Sequence, residues 1–235
     1  MADEKYEIHA AAREGRFAAV ESLLNANPKL AKLKDLDGRL PIHWAASANS
    51  YDIVTLLADQ KDFDPDVQDD SGWTPLMIAA SVKDSDRVVD LLLARGADVN
   101  QTTNSGQTVL HFVASKSNLD LARKLLETHK PPASARVRDK RGQYPLHRAA
   151  AVGSAPMVAL LLKARSPLNA TDGAGYTALH HAVAEGHGDT AVALLKAGAE
   201  ADKKDNDGHL ALELAPGSDV RKYIQRECER EGIEL

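Results

Sequence analysis

Six glycines set the frame of this chain. Gly38, Gly72, Gly106, Gly142, Gly175 and Gly208 follow one another at spacings of 34, 34, 36, 33 and 33 residues. Two residues after each glycine begins a segment of one design: Leu40-Pro41-Ile42-His43-Trp44-Ala45, Thr74-Pro75-Leu76-Met77-Ile78-Ala79, Thr108-Val109-Leu110-His111-Phe112-Val113, Tyr144-Pro145-Leu146-His147-Arg148-Ala149, Thr177-Ala178-Leu179-His180-His181-Ala182 and Leu210-Ala211-Leu212-Glu213-Leu214-Ala215. The copy from Asp69 to Ser81 states the physics most fully. Its aspartates and Gly72 supply a tight turn, Thr74 is placed to cap a helix, and Pro75 sits where its missing N–H costs nothing. Ala79 and Ala80 leave room for a close neighbour. A step of 34 residues back from Ile42-His43 reaches Ile8-His9, a degenerate first copy. Seven units result, over residues 1–35, 36–69, 70–103, 104–139, 140–172, 173–205 and 206–235. Units this short bury an apolar face only by stacking on one another.

Each unit predicts a second helix with one apolar face. Val20, Leu23 and Leu24 share a face by their spacing, and Ile53, Val54, Leu56 and Leu57 repeat it. So do Val88, Val89, Leu91, Leu92 and Leu93; Leu121, Ala122, Leu125 and Leu126; Met157, Val158, Leu160, Leu161 and Leu162; and Ala191, Val192, Leu194 and Leu195, leucines expected in the core. Gly96 and Gly198 follow helix ends and suit the left-handed position that stops a helix. Lys130-Pro131-Pro132 and Asp62-Phe63-Asp64-Pro65-Asp66 belong in connections, because prolines break helix interiors. At the far end Asp219 is placed to cap a helix through Val220, Tyr223 and Ile224 into the solvated charged run that contains Cys228.

Thr-Pro-Leu-His-x-Ala at a period of about 33 resembles the ankyrin repeat. A tetratricopeptide array has a similar period but lacks the glycine turn before each Pro-Leu-His helix. The resemblance implies an all-α solenoid of seven helix-turn-helix repeats with β-hairpin-like finger turns, forming a single domain over 1–235.

Composition narrows the function. Lys and Arg number 29 against 34 Asp and Glu, a net charge of −5 that argues against a general nucleic-acid binder. Cys228 is the only cysteine, so no intrachain disulfide is expected. No N-terminal apolar run and no stretch of membrane-spanning length is visible, which predicts no membrane partner and a cytoplasmic and nuclear protein, monomeric when free.

Chemistry is sparse. His9, His43, His111, His147 and His180 share one repeat position, which predicts hydrogen bonds between turn and helix in place of ligation. His181, Glu185 and His187 are the candidates with metal-like spacing, but they straddle that repeat histidine and a helix-ending glycine. There is no phosphate-cradling glycine loop, and Ser71, Ser105 and Cys228 have no organised base nearby. The sequence predicts no enzyme, cofactor or metal.

Function is therefore expected on the turns and first helices, where residues escape the repeat rule. In the turns these are Arg39, Asp69, Asp70, Trp73, Arg141, Tyr144 and Tyr176. On the first helices they are Trp44, Ile78, Ser81, Phe112, Lys116, Arg148, His181 and Glu185. Charge is segregated: between Asp59 and Asp70 six aspartates stand against Lys61, whereas between Lys116 and Arg148 nine basic residues stand against Asp120, Glu127 and Asp139. A partner basic at one end and acidic at the other would be oriented by such a pattern.

Several stretches also resemble gankyrin-type proteins, the ankyrin-repeat assembly chaperones of the proteasome regulatory particle. They are Lys34 to Trp44, Asp69 to Pro75, Pro145 to Ser154 and Ala184 to Asp189, and a generic ankyrin consensus does not explain Trp44, Trp73 or Arg148. The resemblance implies that the turn-and-first-helix face grips the C-terminal domain of one AAA+ ATPase subunit of the regulatory particle and hinders premature docking onto the core particle. Arg39, Asp69, Asp70, Trp73, Lys116 and Arg148 match family contact positions. The Leu-x-Cys-x-Glu segment that links this family to retinoblastoma-type partners is absent, since the corresponding helix reads Leu179-His180-His181-Ala182-Val183-Ala184-Glu185. A generic ankyrin adaptor or inhibitor of a signalling or transcription protein is the alternative reading.

Overall fold

The computed structural model describes residues 6–235. They form two compact units, one up to Val109 and one from Leu110 to Leu235. The first unit holds α1 (Glu7–Arg13), α2 (Phe17–Ala26), α3 (Pro41–Ser47), α4 (Tyr51–Ala58), α5 (Pro75–Ser81) and α6 (Asp86–Ala94). The second begins one residue into α7 (Val109–Ser115) and goes on with α8 (Leu119–Arg123), α9 (Pro145–Ala151), α10 (Ala155–Lys163), α11 (Ala178–Ala184), α12 (Gly188–Lys196) and α13 (Ser218–Arg230). Among the described residues there is no β-strand. The isolated bridge between Lys204 and Leu210 is what remains of a hairpin in the last finger.

The repeat rule becomes visible as hydrogen bonding. Thr74 Oγ1 accepts the Met77 amide at 3.3 Å and Pro75 occupies the first helical turn of α5. In each aspartate-headed finger Oδ1 accepts two amides, two and four residues on: those of Ser71 and Trp73 for Asp69, both at 2.9 Å, and those of Arg141 and Gln143 for Asp139, both at 2.9 Å. Gly72 closes its finger at φ +79°, and a Cβ there would stand 2.6 Å from the Asn104 amide nitrogen. A side chain is excluded there both by conformation and by the next finger.

The repeat histidines tie each first helix to the following finger. His43 Nδ1 accepts the Leu40 amide at 3.0 Å, and Nε2 donates to the carbonyls of Val67 and Trp73 at 3.2 Å. His147 does the same with the Tyr144 amide at 3.0 Å and the Ala170 carbonyl at 3.1 Å. His9 and His111 reach the carbonyls of Arg39 and Gln143, both at 3.1 Å. Beneath these bonds lie the leucine faces. Ile8, Ile53, Leu76 and Leu92 are fully buried in the first unit, and Leu125, Leu146, Leu161, Leu179 and Leu194 in the second. Each such side chain contributes about 1.5–3 kcal/mol by leaving water.

Two local expectations need correction. The last helix begins at Ser218 with Gly217 as its N-cap, so Asp219 lies inside the first turn and acts on the helix dipole instead of capping. Nor is the end of that helix wholly solvated: Ile224 and Cys228 are buried on its inner face, and burial pushes the Cys228 thiol up. Ahead of Lys130-Pro131-Pro132, α8 widens into a π-helical turn over Lys124–Thr128, and the prolines follow in the connection as expected.

Candidate functional site

The off-consensus side chains sort themselves by what they do to the finger aspartates. Oδ1 of each is committed to the turn, which leaves Oδ2 in need of a donor. One route comes from the same repeat, nine residues on. Trp44 Nε1 donates to Asp35 at 2.7 Å, Arg148 to Asp139 at 3.0 Å and His181 Nε2 to Asp172 at 2.9 Å. The other comes from the preceding finger, four residues past its own aspartate: Arg39 donates to Asp69 at 3.0 Å and Gln143 to Asp172 at 3.1 Å. An indole, two guanidiniums, an amide and an imidazole thus solve one problem, the burial of a carboxylate that must stay charged.

In the first unit this arrangement holds Trp44 half-buried between two cations, with the guanidinium of Arg39 4.9 Å and that of Arg13 5.6 Å from the ring centre. Trp44 also lines a notch of about 270 Å³ together with Tyr6, His9, Arg13, Asp35 and Leu36. Leu36 on its rim is 86% exposed. It is not among the sequence candidates, although a leucine between two aspartates at a turn tip is a signal that points to it. Asp70 is exposed beside a half-buried Trp73, and Ser81 turns back to donate to the Met77 carbonyl at 2.9 Å. Two candidates are not surface residues. The Asp69 side chain is 2% exposed and Ile78 is 7% exposed, so both are parts of the framework.

In the second unit Lys116, Arg141 and Glu185 are exposed, and Phe112, Tyr144 and Tyr176 are half-buried. Tyr144 stacks on His147 with ring centres 5.8 Å apart and Tyr176 on His180 at 5.4 Å, so each tyrosine covers a repeat histidine. Tyr176 also meets His181 edge-on at 5.4 Å. Arg148 is pinned by Asp139 and a quarter exposed. His181 is engaged by Asp172, while His187 Nε2 donates to the Ala151 carbonyl at 3.2 Å; the suggested ligands are thus spent on separate tasks.

Burial pushes His43, His111, His147 and His180 below the ordinary imidazole value. His147 is lowered furthest, to about 4, with burial the main cause and the neighbouring His181 adding to it. Burial alone would raise Asp35 and Asp172, but donation from Trp44 to the first and from Gln143 and His181 to the second, with backbone amides, holds both below the ordinary carboxylate value. The site therefore contains neutral histidines, charged aspartates and outward-facing cations and aromatics.

The ankyrin-repeat family model matches residues 8–103, 77–172, 110–207 and 152–224, and this chain belongs to that family. Within it, the chain is 42% identical over 159 residues to the probable 26S proteasome regulatory subunit p28 of Saccharomyces cerevisiae (strain ATCC 204508 / S288c), covering 66% of this chain and 68% of the relative. The gankyrin-like resemblance of the sequence rests on that relative as well. Among solved structures, the ankyrin repeat domain of Bcl-3, described as a unique member of the IκB protein family, superposes with a TM-score of 0.74 at 25% identity over 95% of this chain and 99% of that one. No helix among the described residues is long and apolar enough to cross a membrane.

Proposed function

We propose that this chain is a non-catalytic assembly chaperone of the proteasome regulatory particle, acting in cytoplasm and nucleus, that grips the C-terminal domain of one AAA+ ATPase subunit. The observation that carries the reading is the 42% identity to a relative named as a regulatory subunit. The exposed charges Asp70, Lys116, Arg141 and Glu185 support it, as do the half-buried rings of Trp44, Trp73, Tyr144 and Tyr176. Binding through rings set among charges would occupy the ATPase domain and hinder its early docking without any bond being made or broken.

The test is affinity capture from cells. Asp70→Lys and Lys116→Glu change side chains that face water, so the fold is expected to tolerate both. Their combination should reduce recovery of base ATPase subunits at least ~10-fold, since rim charges govern encounter and close pairs govern release. Undiminished recovery would overturn the proposal. The Bcl-3 likeness supports a second reading, an adaptor or inhibitor of a signalling or transcription protein. An eluate rich in such a protein and free of proteasome subunits would favour it.

A further inference from the structure

Among the described finger aspartates, one breaks the donor rule. Asp205 Oδ1 accepts the amides of Asp207 at 2.9 Å and His209 at 2.8 Å, as in every aspartate-headed finger, yet Oδ2 is buried with no hydrogen-bond partner. Both donor routes are lost there. The residue nine places on is Leu214, and the preceding finger offers Tyr176, whose ring is stacked on His180. The Asp205 side chain is 1% exposed, so water reaches it poorly. A buried carboxylate oxygen left without a donor is unfavourable, because the water it gave up is not replaced.

The same finger is also the one whose second and fourth positions after the aspartate both carry ligating groups. Asp37 and Arg39, Ser71 and Trp73, Ser105 and Gln107, Arg141 and Gln143, and Ala174 and Tyr176 stand at those positions elsewhere; here they are Asp207 and His209. The ligating atoms of Asp205, Asp207 and His209 lie within 4.8 Å of one another, and His209 Nδ1 is 3.6 Å from the unpartnered Oδ2. That separation is long for a hydrogen bond and close to the edge expected between two ligands of a tetrahedral ion with bonds of about 2.0–2.2 Å.

We propose that Asp205, Asp207 and His209 form a site for one divalent transition ion of the zinc class, with water completing the coordination. Two carboxylates and one neutral imidazole match the borderline ligand preference of zinc and cobalt better than the all-oxygen cages of calcium or magnesium. The turn already fixes Asp205 through Oδ1, so the ion needs to order only two exposed side chains. Because those two are open to solvent, binding is weak and reversible and stiffens the last finger.

The experiment titrates ZnCl2, and separately CoCl2, into the untagged full-length protein by calorimetry, with the imidazole nitrogens of His209 followed by NMR. The expected result is one equivalent bound with a shift of Nδ1. Asp207→Asn should weaken binding ~10-fold and His209→Gln should abolish it. Both side chains are exposed and the Asp205 cap takes only backbone amides, so melting curves of the metal-free variants should match the parent. Absence of binding at millimolar zinc, or binding that survives both substitutions, would overturn the site.

Discussion

Asp69 in the first unit and Asp139 in the second are the same residue of the same finger, buried to the same 2% of side-chain exposure, but they are served from different directions. The cation for Asp69 is Arg39, thirty positions earlier in the preceding finger; for Asp139 it is Arg148, nine positions later on its own helix. The first arrangement couples two repeats, and the second stiffens one. A position where Trp44, Arg148 or His181 stands is thus not free to serve binding alone, because the side chain's far end is needed by the fold.

Removal of either aspartate should have the largest effect. Asp69→Ala and Asp139→Ala each delete two amide bonds and strand a half-buried guanidinium, which predicts a loss of about 3–5 kcal/mol by urea unfolding. A double charge reversal at Asp69 and Asp70 would unfold the finger, because the Asp69 side chain is buried, and only Asp70 serves as a surface probe.

Acid should act on the two units unequally. A histidine held at a low value in the folded state is neutral there while the unfolded chain binds a proton, so stability falls as pH drops through the window between the two values. For His147 the window runs from about 6.5 to about 4, and the loss amounts to roughly 3 kcal/mol. His43 and His111 are lowered for the same reason, burial, without so large a shift. Urea unfolding at pH 7 and pH 4.5 should show His147→Gln less acid-sensitive than the parent; equal sensitivity would mean that acid acts elsewhere. Asp35 and Asp172, held below 3.8, enter only under that pH.

The two cations provide a finer cut. Arg148→Ala leaves the Asp139 Oδ2 buried and unserved, for an expected cost of about 2 kcal/mol. Arg39→Ala does the same to Asp69 and also uncovers one face of Trp44. Arg148→Gln keeps a neutral donor on the helix and should recover part of the loss. If the alanine variants were as stable as the parent, the aspartates would not depend on these donors.

Much of this was legible in the sequence. The glycine spacing, the Thr74 cap, the helix stops at Gly96 and Gly198 and the shared role of the repeat histidines all follow from local rules, and each is met; the leucine faces are met in part, since Leu57, Leu92, Leu125 and Leu161 are buried while Leu56, Leu91, Leu93, Leu126 and Leu162 are half-buried at the edges of their faces. What stayed hidden was which off-consensus residues serve the fold. Arg39 and Asp69 are thirty residues apart, and nothing local in either finger announces that the tip of one closes on the root of the next. Ile78 failed for a related reason: it stands nine residues after Asp69, where Trp44 or Arg148 stands in other repeats, but with Arg39 supplying the donor an apolar side chain can be packed there at 7% exposure.

The smallest expected effect on stability separates the two kinds of residue most cleanly. Asp70 is next to Asp69 in the chain, yet its side chain is exposed and accepts no part of the turn's Oδ1 bonding. Asp70→Lys should therefore change unfolding free energy by no more than about 0.5 kcal/mol, against several for its neighbour. Lys116→Glu in the second unit should behave likewise, because it is exposed at the end of α7. If both substitutions leave stability alone and only one reduces capture of the ATPase domain, the partner's contacts are concentrated in that residue's unit; if both reduce it, the partner engages the two units together, and raising the salt concentration should weaken the parent complex as well.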